Sequence, residues 1–251
     1  SAVAAGAAAA TATGAAAETP NFSSSSLTSS ASSSTVIFSI NSTTSASQNP
    51  QVQFGGVGQY TVALTVSNAA GTDTKTTTNY ITVTAVYCAS NATSTSDEEI
   101  FGVTFAGINN VSNCGQTGGA GSILNEYSNY TGITPAEVAL GYTFPFTLKT
   151  SACGTGTFSA GYSVFIDYNQ DGDFADIDEK VFGSTVTTPT PPSVLTNFSG
   201  NITIPMTASI GLTRMRVVLT ENNATPPSCG TYGFGETEDY NVNIQPCVPI
   251  T

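Results

Sequence analysis

Alternation of apolar and polar residues sets in at Thr35 and is clearest in Tyr60-Thr61-Val62-Ala63-Leu64-Thr65-Val66-Ser67. A period of two puts Tyr60, Val62, Leu64 and Val66 on one face of a strand and the polar residues on the other. The Asn68-Ala69-Ala70-Gly71 turn follows, then a second run from Thr76 to Ala85, which predicts an antiparallel hairpin. From Tyr87 onward the same alternation recurs in short runs near residues 100–108, 142–149, 162–168, 201–204, 213–219 and 239–244, separated by Gly, Pro and Asn clusters. Short punctuated strands without a helical period predict an all-β chain, with a β-sandwich or jelly roll as its larger part. The segment from Pro135 to Leu140 alone reads as a helical turn.

The two ends break the pattern. Residues 1–34 are mostly Ala, Ser, Thr and Gly without periodicity. Such a stretch cannot bury enough to offset its ordering entropy, so it reads as a linker or as a segment ordered by a neighbouring subunit. Residues 246–251 read as a linker into a further domain, and the absence of a basic leader at the start suggests a mature chain or a fragment. No apolar run approaches the ~18 residues of a membrane span, so no membrane insertion is expected.

Composition narrows the class of partner. Charged residues make up 9% of the chain, and the 17 acidic residues outnumber five bases, Lys75, Lys149, Lys180, Arg214 and Arg216, for a net charge of −12. Phosphate backbones and anionic surfaces are repelled by such a chain, which argues against nucleic acid. A divalent cation is the partner that excess carboxylate suits. The chain has no histidine, which removes Ser-His triads, Cys-His pairs and His-based zinc sites together, so no enzymatic turnover is expected. The five cysteines contain no C-x-x-C pair, which favours disulfides in an oxidising compartment over zinc. Cys88, Cys114, Cys153 and Cys229 are the disulfide candidates, with the connectivity open, and Cys247 is the expected leftover thiol.

One loop carries a chemical signature. Behind the run ending at Ile166 comes Asp167-Tyr168-Asn169-Gln170-Asp171-Gly172-Asp173-Phe174-Ala175-Asp176-Ile177-Asp178-Glu179. An oxygen ligand stands at every second position with glycine at the sixth, the D-x-N-x-D-G spacing of a Ca²⁺ loop. Asp167, Asn169 and Asp171 are the expected side-chain ligands, Asp173 a carboxylate or backbone ligand, and Asp176, Asp178 or Glu179 the closing one. Flanking strands, rather than helices, distinguish it from an EF-hand. A second acidic group, Glu236, Glu238 and Asp239, opens the last strand and could support the first. Arg214 and Arg216 share one face of their strand and are expected to pair with these acids.

Two resemblances follow from these residues. Residues 35–85, through Asn49-Pro50, Gly58-Gln59-Tyr60-Thr61-Val62, Ser67-Asn68, Gly71 and Tyr80-Ile81-Thr82-Val83, resemble the C-terminal half of a PKD domain. That resemblance implies a partial immunoglobulin-like sandwich, because the front half with its tryptophan strand is missing. Strands from residues 1–34 or another chain would have to complete it. Residues 86–245 resemble the GEVED domain through Val164 to Phe174, Gly211 to Val217, Cys229-Gly230 and Gly235-Glu236-Thr237-Glu238-Asp239-Tyr240. Thr237 replaces the valine of that signature, and Tyr168 stands where a tryptophan is common. The resemblance implies a secreted β-domain of bacterial, Bacteroidetes-type surface proteins that is often set beside PKD-like modules.

The expected function is therefore an extracellular structural or adhesive protein with a calcium-stabilised sandwich, self-associating or joined to neighbouring surface domains as part of a filament or stalk. The alternative is a carbohydrate-binding accessory module of a secreted enzyme, in which Tyr127, Tyr130 and Tyr142 would stack on glycans.

Overall fold

The computed structural model describes residues 12–13, 35–40, 43–47, 52 and 58–247. The chain divides into two compact units, residues 1–87 and 88–251. In the first unit the strands are β1 (Ala12–Thr13), β2 (Thr35–Ile40), β3 (Thr43–Ser45), β4 (Gly58–Asn68) and β5 (Gly71–Thr84). They form one sheet in the order β1-β5-β4-β2-β3. The predicted hairpin is β4 and β5, closed by Asn68 opposite Gly71, and Gly71 has a positive φ that the turn requires. β5 begins five residues earlier than the apolar run suggests, because Thr72 to Thr76 stay exposed and pair with β4 through the backbone ladder and through hydroxyl contacts, Thr74 with Thr65 and Thr72 with Ser67, at 2.9 Å each. Ala12–Thr13 pair in parallel with Val83–Thr84, so the Ala/Ser/Thr-rich segment does supply a strand. What else is expected of residues 1–34, and of residues 248–251, lies outside the described residues. Among the described residues the first unit has this one sheet, which fits a partial sandwich.

The second unit runs through β6 (Ser90–Ala92), β7 (Glu98–Phe105), β8 (Ile108–Val111), β9 (Tyr127–Asn129), β10 (Ala136–Ala139) and β11 (Thr143–Ala152). It continues with β12 (Phe158–Ile166), β13 (Lys180–Gly183), β14 (Thr188–Thr190), β15 (Thr196–Thr203), β16 (Gly211–Glu221), β17 (Gly230–Tyr232) and β18 (Gly235–Gln245). One sheet has the order β10-β18-β16-β12-β13, with β9 added to β18 and β14 to β12; a second has the order β15-β11-β7-β8. Their inner faces share one core, in which Val164, Ile166, Met215, Val217, Tyr240 and Val242 meet Val103, Phe105, Phe146 and Leu148. Two sheets enclosing an apolar layer make this an all-β sandwich.

The helical turn expected from Pro135 to Leu140 is instead β10. Ala136 and Val138 are buried while Glu137 is exposed, and the segment pairs in parallel with Val242 to Gln245. Six residues are too few for periodicity to separate strand from helix, and the partner strand, about a hundred residues away, decides. The cysteines pair as Cys88–Cys229 and Cys114–Cys153, and Cys247, beyond the last strand, is the exposed free thiol expected of it.

Candidate functional site

The acidic loop is the long connection of the β12–β13 hairpin, which closes where Phe165 pairs with Lys180 and the Ile166 N–H donates to the Glu179 carbonyl at 2.9 Å. Its two outermost acids are buried. The Asp167 carboxylate accepts the N–H groups of Gln170 (2.6 Å) and Gly172 (3.1 Å), turning the chain back on itself. Glu179 accepts the N–H groups of Tyr168 (2.9 Å) and Asp176 (3.4 Å) and so ties the far end of the loop to its beginning. Burial, then the nearby Asp167 charge, pushes the Glu179 carboxyl up to about 7. Gly172 adopts a positive φ of 96°, the sharp turn that the sequence pattern demanded.

Between these anchors the exposed carboxylates of Asp171, Asp173 and Asp176 converge, with one oxygen from each within 4.8 Å of the others. Oxygens around a Ca²⁺ ion at about 2.3–2.6 Å stand no farther apart than about twice that radius, so the three fit a single hard cation. Among the described residues they are the only such triad. The Asn169 amide donates to Asp171 (2.9 Å) and Asp176 (2.6 Å), a dipole placed where positive charge is wanted. Asp178 is exposed and stands outside the triad. The structure thus joins Asn169, Asp171, Asp173 and Asp176 and uses Asp167 and Glu179 as loop anchors. An open cleft of about 340 Å³ flanks the loop, lined by Tyr168, Asp176, Asp178 and Pro205, with Ile177 at its rim 96% exposed.

The loop is fastened to the sandwich by hydrogen bonds to β16 and the segment before it and by an inward-turned ring. Thr213 Oγ1 donates to the Asp167 carbonyl at 2.5 Å, and Gln170 Nε2 donates to the Ser209 carbonyl at 2.9 Å. Phe174 turns inward against Phe165, their centroids 5.9 Å apart, and the Arg216 guanidinium lies 5.1 Å over its ring.

That guanidinium leads to the second acidic group. β16 and β18 are antiparallel with Arg216 opposite Asp239, so both point to the same side of the sheet. Arg216 binds Asp239 through Nε (2.7 Å) and Nη2 (2.9 Å), while Arg214 and the Tyr127 hydroxyl donate to Asp239 Oδ2 at 3.0 Å each. The expected ion pairs form, but on Asp239 alone. Glu236 and Glu238 lie opposite Leu219 and Val217 on the inner face, the face of Tyr240 and Val242. They do not join the loop carboxylates. Inside the sandwich they meet Glu99 of β7, which with its buried neighbour Glu98 sequence reasoning did not single out; their signal was a carboxylate pair directly before the apolar run at Ile100.

Gly235 heads this strand with φ 119°, and a Cβ there would collide with the Leu219 carbonyl oxygen, which explains glycine ahead of the acids. Two rings of the tyrosine set are engaged by the sheet. Tyr130 stacks on Tyr240 at 5.5 Å and Tyr127 bonds Asp239; Tyr142 is more than a third exposed.

Residues 161–243 match the family model of the GEVED domain, a span that contains the acidic loop, both arginines and the Gly235 to Tyr240 motif. No curated protein matches the chain in sequence. Among solved structures it is similar to the CARDB domain of a Pyrococcus furiosus protein in complex with di-metal ions, at 14% identity over 44% of this chain and 81% of that one, TM-score 0.29. A family 123 glycoside hydrolase from Clostridium perfringens is 14% identical over 51% of this chain and 24% of its own, TM-score 0.31. A Niemann-Pick type C2 protein from the Japanese carpenter ant is 6% identical over 63% and 96%, TM-score 0.33.

Proposed function

We propose that this chain, with a GEVED domain over residues 161–243, is a non-enzymatic structural module of an extracellular or cell-surface protein, braced by calcium in the β12–β13 loop. The convergence of Asp171, Asp173 and Asp176 above a loop whose ends are fixed by buried Asp167 and Glu179 carries this reading. Calcium there would neutralise the mutual repulsion of the exposed carboxylates, with Asn169 turning its carbonyl oxygen to the ion. The two disulfides support an oxidising compartment, and no helix among the described residues is long and apolar enough to cross a membrane. The absence of histidine supports a role in assembly or adhesion over catalysis.

Calorimetric titration with Ca²⁺ and paired thermal melts in EDTA and in millimolar Ca²⁺ test the metal. Ligand at a hundred times its dissociation constant stabilises a folded protein by about 2.7 kcal/mol, so a clear upward shift in melting temperature is expected. Asp171→Ala is expected to abolish both the heat and the shift while leaving the EDTA melt within about 0.5 kcal/mol of the parent, because the side chain is exposed. Absence of both signals in the parent protein refutes the calcium reading. Self-association with copies of the chain or neighbouring surface domains is the expected partnership, through the edges of the first unit's sheet. A monomer by light scattering across calcium concentrations removes the self-assembly part alone.

A further inference from the structure

Four glutamates outside the acidic loop, Glu98, Glu99, Glu236 and Glu238, lie buried in the second unit with no cation to match them, and the last three form one cluster. Glu99, Glu236 and Glu238 are 2%, 4% and 0% exposed. The ion pairs found among the described residues run from Arg214 and Arg216 to Asp239, on the opposite side of β18. Glu236 is well supplied with donors: Ser128 Oγ to one oxygen at 2.7 Å and the Ile100 N–H to the other at 3.1 Å. Glu238 takes the Tyr240 hydroxyl at 2.6 Å on Oε2, while its Oε1 is buried without a donor. No N–H or O–H of a neighbouring residue reaches either oxygen of Glu99; its partner is the Glu236 carboxylate itself. Two carboxyl groups bond each other only when one carries a proton. A metal bridge is the other way to reconcile such a group, and the geometry is against it, since these oxygens form no triad within 4.8 Å of one another.

We propose that Glu99 and Glu238 hold protons inside the folded sandwich at neutral pH, Glu99 donating its proton to Glu236, so that the end of the sandwich where β7 meets β18 is a proton-locked latch that weakens as pH rises. Glu98 of β7, Tyr232 of β17, Tyr240 of β18 and Tyr130, which follows β9, face the cluster, and each is neutral or negative there. Burial, then the charge of Glu236, pushes the Glu99 carboxyl up to about 11, and burial pushes Glu98 to about 7 and raises Glu236 and Glu238.

The sign follows directly. The folded chain binds more protons than the unfolded one, whose carboxyls titrate near ~4.3, so this stability is complete below that pH and is lost as pH rises through the folded values. Each group that keeps its proton only in the folded state changes the unfolding equilibrium constant about tenfold per pH unit.

Infrared difference spectra of the intact chain in saturating Ca²⁺ test the proposal without any mutation: a protonated-carboxyl band is expected at pH 8. Glu99→Gln, whose amide can still donate to Glu236, is expected to weaken that band and to reduce the pH dependence of unfolding by about tenfold per pH unit between pH 5 and 8. Glu238→Gln is expected to remove a further part of the band. A parent spectrum without the band, a band untouched by both substitutions, or an EDTA-resistant stoichiometric metal in its place overturns the proposal; if Glu99→Gln fails to fold, the parent spectrum and its pH profile still decide.

Discussion

Arg216→Ala is expected to destabilise the second unit by about 3–5 kcal/mol, roughly 10 °C in melting temperature. Arg216 is 2% and Asp239 1% exposed, so the loss leaves a buried carboxylate with only Arg214 and the Tyr127 hydroxyl as donors. The cost of an orphaned buried charge, rather than the strength of the pair, sets the size of the effect. Arg216 Nη1 also donates to the carbonyls of Cys88 (2.9 Å) and Ser228 (2.8 Å), which would lose their donor as well. Replacing Arg216 and Asp239 together by Met and Leu is therefore expected to cost less than the single change, a comparison that denaturant melts can make. The same guanidinium covers Phe174, so the single variant is also expected to bind Ca²⁺ more weakly in calorimetry although Arg216 touches no candidate ligand. Unchanged affinity would show the loop to be held by its own backbone bonds alone.

This coupling between a buried ion pair and a surface loop was half legible in the chain. β4, β12, β16 and β18 announce themselves because one face of each is apolar and the alternation has no rival period. The loop was legible for a different reason: convergence of oxygens needs fixed spacing, and spacing is a sequence property. The division of labour within it was not. Asp167 and Glu179 read as ligands in sequence, and the structure adds that their carboxylates accept the backbone N–H groups that hold the loop. Glu236 and Glu238, expected to support the loop or to pair with the arginines, do neither. Their alternation with Tyr240, Val242 and Ile244 was visible, and it puts them on the buried face. Asp239, one residue out of phase, goes to the arginines. Disulfide pairing stayed open because it depends on Cys88 and Cys229 meeting across 141 residues, a fact of topology rather than of spacing.

Removing that bridge is expected to have the largest effect of any double substitution. Cross-linking across 141 residues restricts the unfolded chain far more than a short link, and loop-closure entropy puts its contribution at about 5 kcal/mol, against about 4 kcal/mol for Cys114–Cys153 across 39 residues. Cys88→Ala with Cys229→Ala is therefore expected to destabilise more than Cys114→Ala with Cys153→Ala, in denaturant melts of otherwise identical chains. The difference should exceed the entropy estimate, because Cys88 opens the segment leading to β6, and β6 pairs with β17 directly behind Cys229. Loss of the bridge frees both strands, and with them the two carbonyls that Arg216 grips. Combining the bridge deletion with Arg216→Ala is expected to cost less than the sum of the two, since both hold one junction. Thiol labelling supplies the check on the premise: the native chain should take up one label, on Cys247, and the reduced, unfolded chain five. Equal destabilisation by the two bridge deletions would show that the long link closes a loop already restricted in the unfolded chain, and additivity with Arg216→Ala would separate the junction into two independent contacts.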